Sequence, residues 1–270
     1  YSGSIEEDEQ LLDRLCAEGL PYRYEEVNDS IKSRLNKELD LIKKMGFVSY
    51  FLINWDIVSE ARRRGFFYVG RGSGANSIVA YLLRITDVDP MELDLYFERF
   101  INLYRANPPD FDIDFSWRDR SAMTQYIFDR FNHVALLGTY VTFKQRGVIR
   151  ELGKVFGLPP QDIDFLLTGR YVLDQLDHVS KIVLKYGSLL KGKPNYLSIH
   201  AGGILISDKP LHWFSATHLP PKGFPTTQYD MVIAEDVGLY KFDILGQRGL
   251  GKIKEALEIV AYNQPEKHKE

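Results

Sequence analysis

The chain has 270 residues, 44% of them hydrophobic and 26% charged, with a formal net charge of -3. These values are ordinary for a soluble globular protein and suffice for one large or two modest domains with a real core. They exclude an overall basic character, so any nucleic-acid surface must be local.

A single cysteine, Cys16, excludes a disulfide framework, and with six scattered histidines no zinc spacing can be assembled. A reducing, cytoplasmic setting is expected. The start of the chain is acidic (Glu6, Glu7, Asp8, Glu9) rather than basic and then apolar, and no apolar run approaches membrane-spanning length.

Residues 5–20 read as a helix with Leu11, Leu12 and Leu15 on one side, ending at Gly19 and Pro21. A second helix begins near Asn28-Asp29-Ser30 and places Ile31, Leu35, Leu39 and Ile42 on one stripe. Residues 47–61 form a third, whose Tyr50, Phe51, Trp55 and Ile57 read as buried packing.

Residues 65–69 are a short apolar strand leading into Gly70-Arg71-Gly72-Ser73-Gly74 and then an apolar helix from Ile78. Strand, glycine turn and helix make either plain punctuation or a phosphate cradle, because glycines let backbone N–H groups approach an anion. The pattern is neither the P-loop nor the dinucleotide fingerprint. Asp87-Val88-Asp89-Pro90 reads as a turn, and Tyr96-Phe97-Glu98-Arg99-Phe100 begins a packed helix.

In Pro109-Asp110-Phe111-Asp112-Ile113-Asp114-Phe115, a strand's period of two puts the acids on one face and the large apolar groups on the other. Such a row of carboxylates repels itself unless something positive sits between, and Mg²⁺ is the usual answer. A calcium loop is excluded, since its glycine and glutamate positions hold Phe115 and Ser121. A solvated, charged edge strand is the other reading.

Helical spacing follows over residues 119–130. Residues 141–156 set Lys144, Arg146, Arg150 and Lys154 among apolar residues, either as a solvated basic face or as a surface for phosphate. Residues 158–195 form an inserted helical subdomain. Residues 195–207 return to sheet character: Ser198-Ile199-His200-Ala201-Gly202-Gly203 leads into a strand at 204–206, where His200 is either a core histidine or a phosphate contact. Residues 223–231 read as a loop. In the strand 238–246, Lys241 and Asp243 share a face, so Asp243 can supply a third carboxylate. A helix runs from Gly251 to about Tyr262, and 263–270 is a polar tail.

The order of these features resembles the α subunit of bacterial DNA polymerase III, of the C-family DNA polymerases. It is carried by Lys44-Met45-Gly46-Phe47 with Tyr50-Phe51-Leu52-Ile53, Gly70-Arg71-Gly72-Ser73, Phe97-Glu98-Arg99-Phe100, the 109–115 acids, His200-Ala201-Gly202-Gly203, Thr227-Gln228-Tyr229-Asp230-Met231 and Lys241-Phe242-Asp243-Ile244-Leu245-Gly246.

The resemblance implies an α+β nucleotidyltransferase-type palm with a mixed sheet and flanking helices, plus an all-helical thumb. The palm would comprise a helical part (1–64), a core (65–140) and a second part (198–262), with the thumb inserted at 141–197 and a tail at 263–270. It implies that Asp110, Asp112 and Asp243 are catalytic and bind two Mg²⁺ ions, with Mn²⁺ able to substitute, and leaves Asp114 without a fixed role. It further implies that Arg71, Gly72, Ser73, Arg99 and Lys241 meet the dNTP, and that Lys144, Arg146, Arg150 and Lys154 meet primer-template DNA.

Relatives carry further domains on both sides of this region, through which other replisome subunits would bind. On that comparison the chain looks like an excised palm and thumb with little polymerising activity of its own. Arg146 stands where many relatives have Lys, which leaves main replicase and error-prone types both open. A non-catalytic DNA-binding or structural module is the alternative.

Overall fold

The computed structural model describes residues 1–97, 101 and 107–264. Three helices come first: α1 (Ile5–Arg23), α2 (Asp29–Lys44) and α3 (Val48–Arg63). Asn28 caps α2, its side chain accepting from Ile31 N–H, and the predicted stripe buries Ile31, Leu35 and Ile42. α1 does not stop at Gly19 and Pro21 as the sequence suggests. A Cβ at Gly19 would lie 2.5 Å from the Leu82 carbonyl oxygen, so this glycine serves close packing rather than termination. Arg23 then anchors the last turn on the carbonyls of Tyr81 and Thr86.

β1 covers Tyr68–Arg71, later than predicted, because Gly65 and Phe66 belong to the end of α3, where Phe66 N–H closes on the Ala61 carbonyl. A single 3₁₀ turn (Ser73–Asn76) joins β1 to the short α4 (Ile78–Leu82). Next come β2 (Asp112–Ser116), α5 (Arg120–Arg130) and β3 (Val134–Thr142).

The insertion holds α6 (Gln145–Val155), α7 (Pro160–Thr168) and α8 (His178–Leu190). β4 (Pro194–Ile206) returns antiparallel to β3, from Thr142 opposite Pro194 to Val134 opposite Ile206. Residues 141–142, read as the start of a helical segment, are therefore strand, and the sheet character expected from Asn195 begins at Pro194. Tyr140 and Val141 pair with Leu197 and Tyr196, and β-branched and aromatic residues suit a pleated ladder. The helices thus sit on the tip of a long β-hairpin.

β5 (Thr217–His218), β6 (Thr226–Thr227, inside the expected loop), α9 (Met231–Asp236), β7 (Lys241–Gln247) and α10 (Arg248–Asn263) complete the described chain. Seven strands form one mixed sheet in the order β1-β2-β7-β4-β3-β6-β5, with β2–β7 and β3–β6 parallel. The architecture is α+β.

One face of the sheet packs on α1–α5. Phe111, Ile113, Phe115, Phe242 and Ile244 meet Leu12, Phe51, Ile57, Val79 and Ile127 there. Burying each such side chain is worth on the order of 2 kcal/mol. A one-residue slip of β2 would turn Ile113 and Phe115 outward and the acids inward, so the register is fixed. The insertion has its own small core of Ile149, Leu166 and Val183.

Candidate functional site

The acids lie on the sheet face away from α1–α5. Phe111, Ile113 and Phe115 are at most 1% exposed, whereas Asp110 is exposed, Asp112 half-buried and Asp114 buried. Register decides what they meet. Asp112 is the direct partner of Asp243 on the parallel β7, and of Arg71 on the antiparallel β1. Two strands that are far apart in sequence thereby bring two carboxylates together on neighbouring inner strands of the sheet.

The positive charge between the acids comes from the chain itself. Arg71 Nη1 lies 2.5 Å from Asp112 Oδ2, and Nε lies 2.8 Å from Asp114 Oδ2. Lys241 Nζ lies 3.1 Å from Asp110 Oδ1 and 2.5 Å from Asp243 Oδ2. Burial would lower the Lys241 pKa, but the hydrogen bond to Asp243 and the charges of Asp243 and Asp110 outweigh it and raise the pKa overall. Burial raises the Asp112 pKa, with Arg71 opposing and the Asp243 charge adding to the rise.

Among the described residues, no three His, Cys, Asp or Glu side chains form a ready cation cluster. The donor set nevertheless fits a hard cation. All three predicted ligands offer carboxylate oxygen, and Asp243 Oδ1 is buried without a hydrogen-bond partner. His200 Nδ1, 3.8 Å away, does not satisfy it. That nitrogen accepts from Gly203 N–H at 2.8 Å and Gly202 N–H at 3.3 Å, so it carries no proton to give.

The glycine loop is fastened to the acids. Gly72 has φ +97°, and a Cβ there would lie 2.5 Å from the Asp110 carbonyl oxygen. Gly74 N–H donates to that carbonyl at 3.0 Å, and Ser73 Oγ accepts from Asp110 N–H at 3.0 Å. Arg71, Gly72, Ser73, Asp110, Asp112, Lys241 and Asp243 therefore converge. Arg99 lies outside the described residues.

Lys144, Arg146, Arg150 and Lys154 are exposed and stand apart from this group, on the insertion. Lys144 precedes α6 at its cap, while Arg146, Arg150 and Lys154 repeat every fourth residue along it. Lys154 Nζ is 3.0 Å from Glu151.

Sequence reasoning overlooked Glu38. Fully buried on α2, it accepts from Arg34 at 2.5 Å and from the hydroxyl of Ser77, the α4 cap, at 2.7 Å. Arg34 also donates to the carbonyls of Asn76 and Leu95. Burial pushes the Glu38 carboxyl up to about 7. The only sequence signal was an Arg–Glu pair four apart, which reads as an ordinary helix surface.

The family described as "Bacterial DNA polymerase III alpha NTPase domain" matches residues 10–246. The chain is 35% identical over 270 residues to an error-prone DNA polymerase from Symbiobacterium thermophilum, covering 92% of this chain and 25% of that protein. It is 37% identical over 274 residues to DNA polymerase III subunit alpha of Bacillus subtilis (94% and 24%), and 39% identical over 264 residues to that of Halalkalibacterium halodurans (90% and 24%). The chain spans about a quarter of the length of these relatives. Relatives of both names share this region, and the chain belongs to the bacterial DNA polymerase III alpha NTPase domain family.

Proposed function

We propose that this chain is the palm and thumb of a DNA polymerase, serving template-directed nucleotidyl transfer from a dNTP to a primer 3′-hydroxyl in a longer parent protein. The observation that carries the reading is the pairing of Asp112 with Asp243 across parallel strands, beside a glycine-serine loop tied to Asp110. The family match and the relatives' names support it.

Asp110, Asp112 and Asp243 would hold the cations. Two Mg²⁺ ions, or Mn²⁺ in their place, supply charge that favours ionisation of the primer hydroxyl and offsets that of the departing pyrophosphate. Asp243 contributes a buried oxygen already stripped of competing hydrogen bonds. Ser73 Oγ accepts from Asp110 N–H, which leaves its own proton for a phosphate oxygen. Gly72 keeps the backbone open to the triphosphate. Lys241 and Arg71 keep positive charge at the acids and can turn it to phosphate.

Lys144, Arg146, Arg150 and Lys154 would follow the backbone of primer-template DNA, where exposure suits contacts that need charge more than fixed geometry. Regions outside this chain would close over the base pair and bind other replisome subunits. Because positioning carries much of such catalysis, the chain alone would polymerise little.

Calorimetric titration of Mn²⁺ into the chain and an Asp112→Ala, Asp243→Ala double variant tests this, with and without primer-template duplex and dATP. Binding that disappears in the variant is expected. No binding by the natural sequence under either condition, or equal binding by both proteins, overturns the reading in favour of a non-catalytic DNA-binding module.

A further inference from the structure

We propose that Asp114 is a positioning residue that seats Arg71 for a nucleoside triphosphate, rather than a further cation ligand; this rests on the nucleotidyl-transfer reading. Asp112 and Asp114 point to the same side of β2, two residues apart, and Arg71 bridges them from β1. The bridge is uneven. Asp114 takes two edges of the guanidinium, Nε at 2.8 Å on Oδ2 and Nη2 at 3.3 Å on Oδ1, whereas Asp112 takes Nη1 alone.

Asp114 has little left to offer a cation. Both its oxygens are engaged, Oδ2 also accepts from Gln247 Nε2 at 3.3 Å, and the residue is 5% exposed. Its partner on β7 is Leu245, whereas Asp112 faces the carboxylate of Asp243. Two acids that look equivalent in the repeat thus have different surroundings, because β7 presents an acid to one and a leucine to the other.

The division has a consequence for the triphosphate. When Asp112 turns to cations, Nη1 is released while Nε and Nη2 stay held. The guanidinium then meets phosphate oxygens as an already ordered, fork-shaped donor.

The test reads the side chain directly. In NMR spectra, the Arg71 Nε–H is expected to exchange slowly in the natural sequence and in Asp112→Asn, and to lose protection in the isosteric Asp114→Asn. Mn²⁺ binding by Asp114→Asn is expected to stay intact, while its Kd for dATP rises on the order of tenfold. Adding Asp114→Asn to Arg71→Ala is expected to weaken dATP no further.

A protected Nε–H in Asp114→Asn, loss of Mn²⁺ binding in that variant, or additive effects with Arg71→Ala would each overturn the proposal. If the natural sequence bound neither Mn²⁺ nor dATP, the nucleotidyl-transfer reading would fail, and the exchange measurement would still decide whether Asp114 holds Arg71.

Discussion

The sheet and the helical insertion handle charge in opposite ways. On the inner strands β2 and β7, Asp114 and Asp243 are 5% and 6% exposed, and register and hydrogen bonds to Arg71 and Lys241 fix their places. On the insertion, Arg146 and Arg150 stand in solvent over a core of three fully buried side chains. Chemistry on a phosphate needs charges held to a fraction of an ångström, whereas grip on a phosphate backbone works at a distance and tolerates motion. The contrast teaches where each kind of function can be placed: on paired inner strands of the large core for the first, on a small helical outgrowth for the second.

Four measurements would break or sharpen the contrast. The largest effect is expected from Lys241→Met, which leaves Asp243 buried without its cation. Urea unfolding should show a loss of about 4 kcal/mol, largely recovered in Lys241→Met, Asp243→Asn. A loss below about 1 kcal/mol would place this pair with weak surface ion pairs and dissolve the distinction.

The second concerns the clasp behind the glycine loop. The Glu38 carboxyl titrates near 7 in the fold against an ordinary 4.5, so between those values the folded chain binds the extra proton. Stability from this group is therefore full below about pH 4.5 and falls as pH rises toward 7, by up to about 3 kcal/mol. Glu38→Gln should flatten that part of the stability–pH curve, and an unchanged curve would assign the slope elsewhere.

Third, Val183→Ala should cost about 1 to 2 kcal/mol and act locally. Hydrogen exchange should quicken in residues 145–190 while β2 and β7 keep their protection. Spread of the effect to β7 would show one cooperative unit instead of two. The smallest effect on the fold is expected from Arg146→Ala, Arg150→Ala, Lys154→Ala, with stability within about 0.5 kcal/mol. On the nucleotidyl-transfer reading, DNA affinity of the longer parent protein should fall, with a salt slope shallower by about one for each phosphate contact removed.

The sequence made some of this plain and hid the rest for physical reasons. The alternation of Phe111, Ile113 and Phe115 with the acids specifies a strand with two different faces, because periodicity is local. The lysine and aspartate of β7 were legible as sharing a face, but their meeting with Asp110 and Asp112 depends on a parallel pairing between distant segments, which no local pattern encodes. Sheet character was legible from Asn195 onward, but that Pro194–Ile206 is one continuous strand depends on β3 lying alongside it. Gly19 and Pro21 resembled a helix stop, yet Leu82 pressing on α1 determined the glycine's purpose.

β3 and β4 do not run evenly together. Leu136 faces Ile204 and Gly138 faces Ile199, so residues 200–203 of β4 stand against Leu137 alone. Extra residues in a ladder lack rungs on that side, bend the strand and increase its twist. The irregularity lies where the stem that carries the helices reaches Gly203, which is paired on its other side with Asp243. The hairpin therefore bends just where it leaves β7, and the helices at its tip join the acid-bearing strands only through a kinked two-stranded stem.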